Sequence, residues 1–236
     1  MEQSIVERTG VISVAGRNVP WAAWLPAGPP PDTLVLIGHG ASGDKHEGYV
    51  VALGRSLAAR GAACVAIDGP IHGERRDGGA TTMPFFDFAA RWSSDANLTD
   101  SMIEDWRTVL DHFLSDGSVN PKAQVGYWGL SMGTILGLPL VAAEPRITAC
   151  VLGLMGNTGP TKDRIASDAR TLQIPTMFLV QWNDQLFHRR DAFELFDLIG
   201  SSDKTLIATP GNHGDVTPET FRRSAEFLMN RLAKSK

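Results

Sequence analysis

The sequence predicts an α/β fold: one mostly parallel, twisted sheet of eight strands with helices on both faces. Two strands of loosely alternating polarity come first, and strands then alternate with helices to the end of the chain. Polar, Gly-rich segments follow the carboxyl ends of several strands. The length of 236 residues and the 43% hydrophobic content suit one large domain, so we expect residues 1–236 to form a single unit.

The predicted strands fall into two classes by their pattern. Residues 5–15 and 19–25 alternate loosely between apolar and polar, which predicts an antiparallel pair joined near Gly16. The later strands are continuous apolar runs, as expected of strands covered on both faces. These later strands are predicted at residues 33–37, 62–67, 147–154, 176–180 and 205–208, with one more beginning at Val125.

Apolar residues that recur every three or four positions predict the helices. A stripe through Tyr49, Leu53 and Leu57 ends before Gly61, a residue suited to the turn after a helix. Ser101 and Glu104 form a capping-box pattern, which predicts that a helix begins there. The other helices are predicted directly after Ser131, at residues 161–172, near residues 193–199, and through Phe221, Ala225, Leu228 and Leu232.

Residues 77–100 form a long connection without a clear period. A connection of this length in a compact domain usually has a function or contains short helices. Its aromatic residues predict a small loop or cap over a site, in which Phe85, Phe86 and Trp92 contact substrate. The alternative is that these side chains only pack the connection onto the sheet.

The segment Gly129-x-Ser131-x-Gly133 lies between a predicted strand and a predicted helix. This is the setting of a nucleophile elbow, in which a strained serine projects its hydroxyl group from a sharp turn. The glycines allow the strand and the helix to approach closely. Ser131 is therefore the candidate nucleophile, and an incidental serine in a Gly-rich turn is the alternative.

His213 and Asp184 are the candidates for activating Ser131. A serine hydroxyl is a poor nucleophile at neutral pH and needs a base, which a histidine can supply. His213 follows the last predicted strand, and Asp184 follows the preceding one, where a carboxylate could orient the imidazole. The carboxyl ends of parallel strands meet at one edge, so the three side chains are expected together. Alternatively, Asp184 caps a helix and His213 is an ordinary loop residue.

An oxyanion formed beside Ser131 would need two N–H donors. Met132, which opens the following helix, should supply one of them. Ala41 is the first choice for the other and Ser42 the second, because nearby glycines allow this loop to turn inward. His39 in the same loop is expected to be structural, forming hydrogen bonds within the loop.

Three further residues have two interpretations each. Asp68 and His72 follow the fourth predicted strand and could contact substrate. An aspartate in such a loop more often ties down its own turn through backbone N–H groups, so we expect a structural role. Trp182, two residues before Asp184, could line the substrate pocket or only fill core.

Net charge, hydropathy, cysteine count and metal-motif spacing limit the functions to be expected. The formal net charge of -4 gives no reason to expect nucleic-acid binding. No apolar run approaches the roughly 20 residues that a membrane span needs, and no signal-peptide pattern is present, so we expect a cytoplasmic protein. Cys64 and Cys150 are expected as core residues rather than a disulfide. His39, Asp44 and His46 match no helix-borne metal motif, so neither a metal nor a cofactor is expected.

Together, these motifs resemble those of the α/β-hydrolase superfamily, in the branch of dienelactone hydrolase-like and acetyl-ester-cleaving serine hydrolases. The resemblance covers nearly the whole chain and implies the α/β-hydrolase fold. Dienelactone hydrolases proper have a cysteine nucleophile where this sequence has Ser131, a difference that argues against that activity. The chain order Ser, Asp, His is that of α/β-hydrolases. The motifs are His39-Gly40-x-x-Gly43, Asp68-Gly69-Pro70-x-His72-Gly73-Glu74, Gly129-x-Ser131-x-Gly133, Asn183-Asp184 and Gly211-Asn212-His213-Gly214.

The residues and the resemblance predict a serine hydrolase that cleaves carboxylic esters through an acyl-enzyme intermediate. Its expected partner is a small-molecule ester, with no nucleic acid and no membrane, and the chain is expected to act as a monomer or homodimer. Two alternatives remain open. The same scaffold supports amide or peptide cleavage, acyl transfer or cofactor-free lyase chemistry, and a non-catalytic hydrolase-like binding protein would share it too.

Overall fold

The structure is a computed structural model that describes residues 4–76 and 83–233. These residues form one open sheet of eight strands: β1 (Ile5–Val14), β2 (Arg17–Pro26), β3 (Thr33–Gly38), β4 (Ala63–Ile67), β5 (Gln124–Gly129), β6 (Ile147–Gly153), β7 (Thr176–Gln181) and β8 (Lys204–Thr209). The strand order is β1-β2-β4-β3-β5-β6-β7-β8. Strand β2 is antiparallel to both of its neighbours, and the other pairs are parallel. The predicted fold class is therefore confirmed.

Seven α-helices lie on the two faces of this sheet in the described residues. They are α1 (Gly48–Ala58), α2 (Pro84–Ser94), α3 (Leu98–Ser115), α4 (Met132–Ala143), α5 (Lys162–Thr171), α6 (Arg189–Leu198) and α7 (Pro218–Ala233). One apolar core contains Leu57 of α1 and Leu228 of α7. The other core contains residues from α2 to α6, such as Trp106 and Leu195. Burial on both faces explains why β3 to β7 are continuous apolar runs.

Helix α3 begins earlier than the capping-box pattern predicted. The helix starts at Leu98, and the N–H of Ser101 already donates to the carbonyl oxygen of Asn97 at 2.9 Å. The prediction of a start at Ser101 is therefore wrong. The additional turn is held by packing, because Leu98 and Thr99 are both buried.

Part of the predicted insertion at residues 77–100 is a helix. Residues 77–82 lie outside the described residues, and α2 follows with Pro84 at its start, where proline is well tolerated. Phe88 is buried and stacks against Trp92 at 6.0 Å between ring centroids. Trp92 also donates from its indole N–H to the hydroxyl oxygen of Thr161 at 2.8 Å, which fastens α2 to the segment before α5.

Residues 4–76 and 83–233 contain neither a membrane-spanning helix nor a cluster of metal ligands. None of the helices there is both long and apolar enough to cross a bilayer. No cluster of three or more His, Cys, Asp or Glu side chains in the same residues is arranged to hold a metal ion.

Candidate active site

Ser131 occupies a strained position between β5 and α4. Its backbone angles, φ of 57° and ψ of -119°, lie in a region that residues other than glycine rarely adopt. Such a conformation typically costs about 1–3 kcal/mol. Close packing enforces this geometry. A Cβ atom on Gly133 would lie 2.5 Å from the carbonyl oxygen of Gly38, and one on Gly129 would lie 2.6 Å from the carbonyl oxygen of Gly133. These glycines are therefore required by the close approach of β3, β5 and α4.

Hydrogen bonds fasten this turn to the neighbouring strand. The N–H of Ser131 donates to the carbonyl oxygen of Gly153 at 3.0 Å, and the N–H of Gly153 donates to the Thr134 hydroxyl at 2.8 Å. The hydroxyl of Tyr127 donates to the carbonyl oxygen of Gly133 at 2.6 Å. The Ser131 side chain is thus held at the end of β5 before any substrate arrives.

The imidazole of His213 lies between Ser131 and Asp184. Its Nε2 is 2.9 Å from the Ser131 Oγ, and its Nδ1 is 2.8 Å from the Asp184 Oδ2. An ionised carboxylate can only accept, so Nδ1 carries the proton and Nε2 is free to accept from the serine hydroxyl. The structure therefore brings the three predicted residues into one hydrogen-bonded chain, in the arrangement that a serine nucleophile needs.

Asp184 is held in its ionised form. Burial alone would raise its pKa, but the hydrogen bond from His213 and the backbone N–H groups of Phe187 and Leu186 outweigh burial and lower the pKa below its usual value. Those two N–H groups donate to Oδ1 at 2.9 and 2.8 Å. Both carboxylate oxygens are therefore occupied, which leaves Asp184 one orientation toward His213.

The loop after β3 is fastened by two histidines. The N–H of Gly69 donates to His39 Nε2 at 2.8 Å, so the His39 proton is on Nδ1, which donates to the carbonyl oxygen of Gly40 at 2.8 Å. In a trans peptide, the carbonyl of Gly40 and the N–H of Ala41 point in opposite directions, so His39 also sets the direction of that N–H. His72 Nε2 lies 2.9 Å from the carbonyl oxygen of Ala41.

Ala41 and Met132 present backbone N–H groups beside Ser131. Both residues line the same cavity as Ser131. Across residues 4–76 and 83–233, neither N–H group donates a hydrogen bond. Free N–H groups at the first residue of a helix and in a neighbouring loop are suited to an oxyanion.

A buried ion pair, which sequence reasoning missed, supports the same loop. Asp68 accepts from the Lys45 ammonium at 2.8 Å, from the Lys45 N–H at 3.1 Å and from the Glu74 N–H at 2.9 Å. Asp68 was expected to tie down its own turn, and it does so. Backbone N–H groups alone could have satisfied Asp68, so no sequence signal singled out Lys45 as its partner.

Two cavities lined by described residues meet at Ser131. The α2 cavity has a volume of about 250 Å³, and the Tyr49 cavity has a volume of about 220 Å³. Ser131, Ala41, Phe85 and Leu186 line both of them. The other residues of the α2 cavity include Phe88, Ala89, Trp92, Met132, Ile135 and Thr158. Those of the Tyr49 cavity include Ser42, Tyr49, Leu130, His213, Val216 and Phe221.

The four aromatic residues predicted to contact substrate fall into two groups. Phe85 lines both cavities and Trp92 lines the α2 cavity. Phe86 is 57% exposed and lines neither, because one residue along a helix rotates a side chain by about 100°. Trp182 is 46% exposed, and the guanidinium of Arg189 lies over its ring. Trp182 also lines neither cavity. Phe86 and Trp182 therefore do not belong to the site in this structure.

The sequence matches no protein-family model and no curated protein. Solved structures do match it. A polyethylene glycol-bound complex of a cold-adapted esterase from an Arctic intertidal metagenomic library is 36% identical, with a TM-score of 0.86 over 97% of this chain and 94% of that chain. A native structure of a cold-adapted esterase from such a library is 33% identical, with a TM-score of 0.81 over 98% and 96% of the two chains.

A more distant match concerns the fold alone. A dienelactone hydrolase from Anabaena variabilis is 18% identical, with a TM-score of 0.72 over 97% of each chain. The TM-score shows that the two proteins share a fold. The 36% identity over nearly the full length is what decides the family. The chain belongs to the α/β-hydrolase superfamily and, within it, to the esterase family that includes the Arctic cold-adapted enzyme.

Proposed function

We propose that this esterase cleaves carboxylic esters of small molecules through an acyl-enzyme intermediate on Ser131. The observation that carries the proposal is the position of His213, whose two ring nitrogens lie 2.9 Å from the Ser131 hydroxyl and 2.8 Å from the Asp184 carboxylate. In this geometry one ring can take a proton from the serine and keep its own on the side of the carboxylate.

The reaction proceeds in two halves. The Ser131 oxygen attacks the ester carbonyl carbon as His213 Nε2 takes its proton, and the carbonyl electron pair moves onto oxygen. The N–H groups of Ala41 and Met132 stabilise this oxyanion. When the carbonyl re-forms, the bond to the alcohol breaks and His213 protonates the departing oxygen. Water then attacks the acyl-enzyme by the same route and releases the acid.

Replacement of the nucleophile tests the proposal. Ser131→Ala should lower kcat for a p-nitrophenyl ester by several orders of magnitude, with an unchanged circular dichroism spectrum. Ser93→Ala, a substitution at an exposed position of α2, is the matched control and should behave as wild type. Full esterase activity in folded Ser131→Ala would overturn the proposal. Matched ester and amide substrates then separate ester cleavage from amide cleavage.

We include a cytoplasmic location in the proposal. The only two cysteines of the chain, Cys64 and Cys150, are free and buried. Burial raises the pKa of both thiols, that of Cys150 to about 12, which keeps them unreactive. A fold that uses no disulfide does not require an oxidising compartment. We also propose that the esterase acts as a monomer or homodimer.

A further inference from the structure

The positions of the two cavities assign the two halves of an ester, given the proposed function. The bond that breaks must place the alcohol oxygen within reach of His213 Nε2, which returns the proton. His213 lines the Tyr49 cavity and not the α2 cavity. Met132, whose N–H faces the oxyanion, lines the α2 cavity. The leaving alcohol therefore occupies the Tyr49 cavity, and the acyl group occupies the α2 cavity.

Tyr49 supplies a polar group in the wall of the alcohol cavity. Its hydroxyl oxygen accepts from the N–H of Gly40 at 2.7 Å. Its ring stacks on Phe221 at 5.7 Å and lies 6.0 Å from Trp128, so the side chain is braced in place. The other polar side chains of this cavity are those of Ser131 and His213 and the exposed hydroxyl of Ser42. The rest of the wall is apolar, with residues such as Leu130 and Val216.

The Tyr49 hydroxyl retains a proton that it can donate. A tyrosine hydroxyl accepts through its lone pairs and donates one proton. The N–H of Gly40 uses the accepting side, and no acceptor for the proton is present in residues 4–76 and 83–233. Burial raises the pKa of Tyr49, so the hydroxyl stays protonated at neutral pH. Tyr49 is partly buried in the wall of this cavity, so a substrate oxygen that accepts the proton would add a hydrogen bond to the bound state.

We propose that the Tyr49 hydroxyl donates a hydrogen bond to a second oxygen in the leaving alcohol. The ester oxygen itself receives its proton from His213, so the acceptor for Tyr49 must lie further along the alcohol. The substrate class is therefore an ester of an apolar acid with an alcohol that carries a second oxygen, such as a glycol or a glycol ether. Tyr49 is a specificity-determining residue for the leaving group.

Two butyrate esters of equal size test this assignment. The alcohols are 2-methoxyethanol and 1-butanol, which differ by an ether oxygen in place of a methylene. Tyr49→Phe keeps the aromatic ring and should lower the ratio of kcat/KM values, ether over alkyl, by about three- to tenfold. Intrinsic differences in ester reactivity cancel when the ratio in the variant is divided by the ratio in wild type. An unchanged ratio in folded Tyr49→Phe overturns the assignment.

A purely structural role of Tyr49 gives a different result. Loss of the acceptor for the Gly40 N–H would disturb the neighbouring Ala41 N–H, which serves both esters, and would slow both by the same factor. Tyr127→Phe is the control, because it removes a buried tyrosine hydroxyl that bonds to Gly133 and lines no part of the alcohol cavity. It should leave the ratio unchanged even where both rates fall.

One measurement requires no variant. Each kcat/KM is divided by the rate constant for alkaline hydrolysis of the same ester, which removes the intrinsic difference in reactivity. Sulfur is a weak acceptor, so the butyrate ester of 2-(methylthio)ethanol should then rank with the butyl ester in wild type rather than with the ether ester. Equal corrected values for all three esters overturn the assignment even if Tyr49→Phe does not fold. Failure of the proposed function can be told apart from failure of this assignment. It would appear as retained esterase activity in Ser131→Ala, whatever the ratio of kcat/KM values for the two esters.

Discussion

The Nε2 atom of His39 accepts a hydrogen bond from the N–H of Gly69 at 2.8 Å. The ring can do so only while it is neutral, because a second proton would place one donor against another. Burial, followed by the neighbouring ring of His72, lowers the pKa of His39 to about 4. The loop that carries Ala41 is therefore stabilised by a neutral histidine.

This contact predicts a dependence of stability on pH. An unfolded chain binds a proton at His39 near pH 6.5, whereas the folded chain binds it only near pH 4. Stability therefore rises with pH between these values, is fully present above about 6.5, and is lost as pH falls. His72, whose pKa burial also lowers, acts in the same direction. Through His39, the free energy of unfolding should fall by on the order of 3 kcal/mol from pH 7 to 4.

Urea unfolding at a series of pH values checks this dependence. His39→Asn should be less stable than wild type at pH 7, and its stability should change less between pH 7 and 4. His46→Asn is the control, because the side chain of His46 is exposed. Equal pH slopes in wild type and His39→Asn would contradict the account of this loop.

Asp184→Asn tests the orientation of the base. An asparagine amide can donate to Nδ1, which favours the tautomer with its proton on Nε2 and removes the acceptor for the Ser131 hydroxyl. We expect kcat for ester hydrolysis to fall by about 10⁴ with little change in fold. Asp163→Asn, at an exposed position of α5, is the matched control. Retention of a tenth of wild-type kcat in Asp184→Asn would contradict the role assigned to this carboxylate.

The acyl assignment predicts a change in chain-length preference. Ala89 lines the α2 cavity, so Ala89→Phe should fill part of the acyl site. We expect kcat/KM for an octanoate ester to fall at least about tenfold relative to the acetate of the same alcohol. Ala90→Phe places the same ring on the exposed side of α2 and should leave this profile unchanged. If Ala89→Phe altered selection of the alcohol instead, the two cavities would have to be exchanged.

The buried pair of Lys45 and Asp68 predicts strong coupling in stability. Asp68→Asn leaves the buried Lys45 ammonium with only the largely exposed Glu74 carboxylate, 2.6 Å away, as an anionic partner, which should cost about 3 kcal/mol of unfolding free energy. Lys45→Met should also lower the free energy of unfolding, because the Asp68 carboxylate is then buried without a cation. The double variant should be more stable than the sum of the single effects implies, because neither charge is then stranded. Additive effects in urea unfolding would show that the pair is not coupled.

The sequence was sufficient for the sheet, but not for helix α2 or for the start of α3. Continuous apolar runs and Gly-rich strand ends predicted the strands, because burial on both faces leaves few alternatives. The spacing of Phe85, Phe88 and Trp92 is helical. The apolar residues Phe86, Ala89 and Ala90 between them obscured this period, so α2 was not predicted. The start of α3 was misplaced at Ser101 because packing of Leu98 outweighs a local capping pattern.

The sequence also predicted only part of the candidate site. Proximity of Ser131, Asp184 and His213 followed from the rule that parallel strands end at one edge. The structure places them within hydrogen-bonding distance, and their catalytic roles stay a proposal. Tyr49 was placed on a helical stripe with Leu53, and no role in the site was predicted for it. Its contact with the Gly40 N–H depends on how α1 docks against the β3 loop, which no local pattern encodes.

Covalent labelling tests the central claim most directly. A fluorophosphonate reacts with an activated serine, displaces fluoride and leaves a stable adduct whose position peptide mass spectrometry can locate. We predict one adduct per chain, on Ser131, with none in Ser131→Ala and much slower labelling in His213→Ala. Folded wild-type protein that stays unlabelled, or that carries the adduct on another residue, would contradict the account.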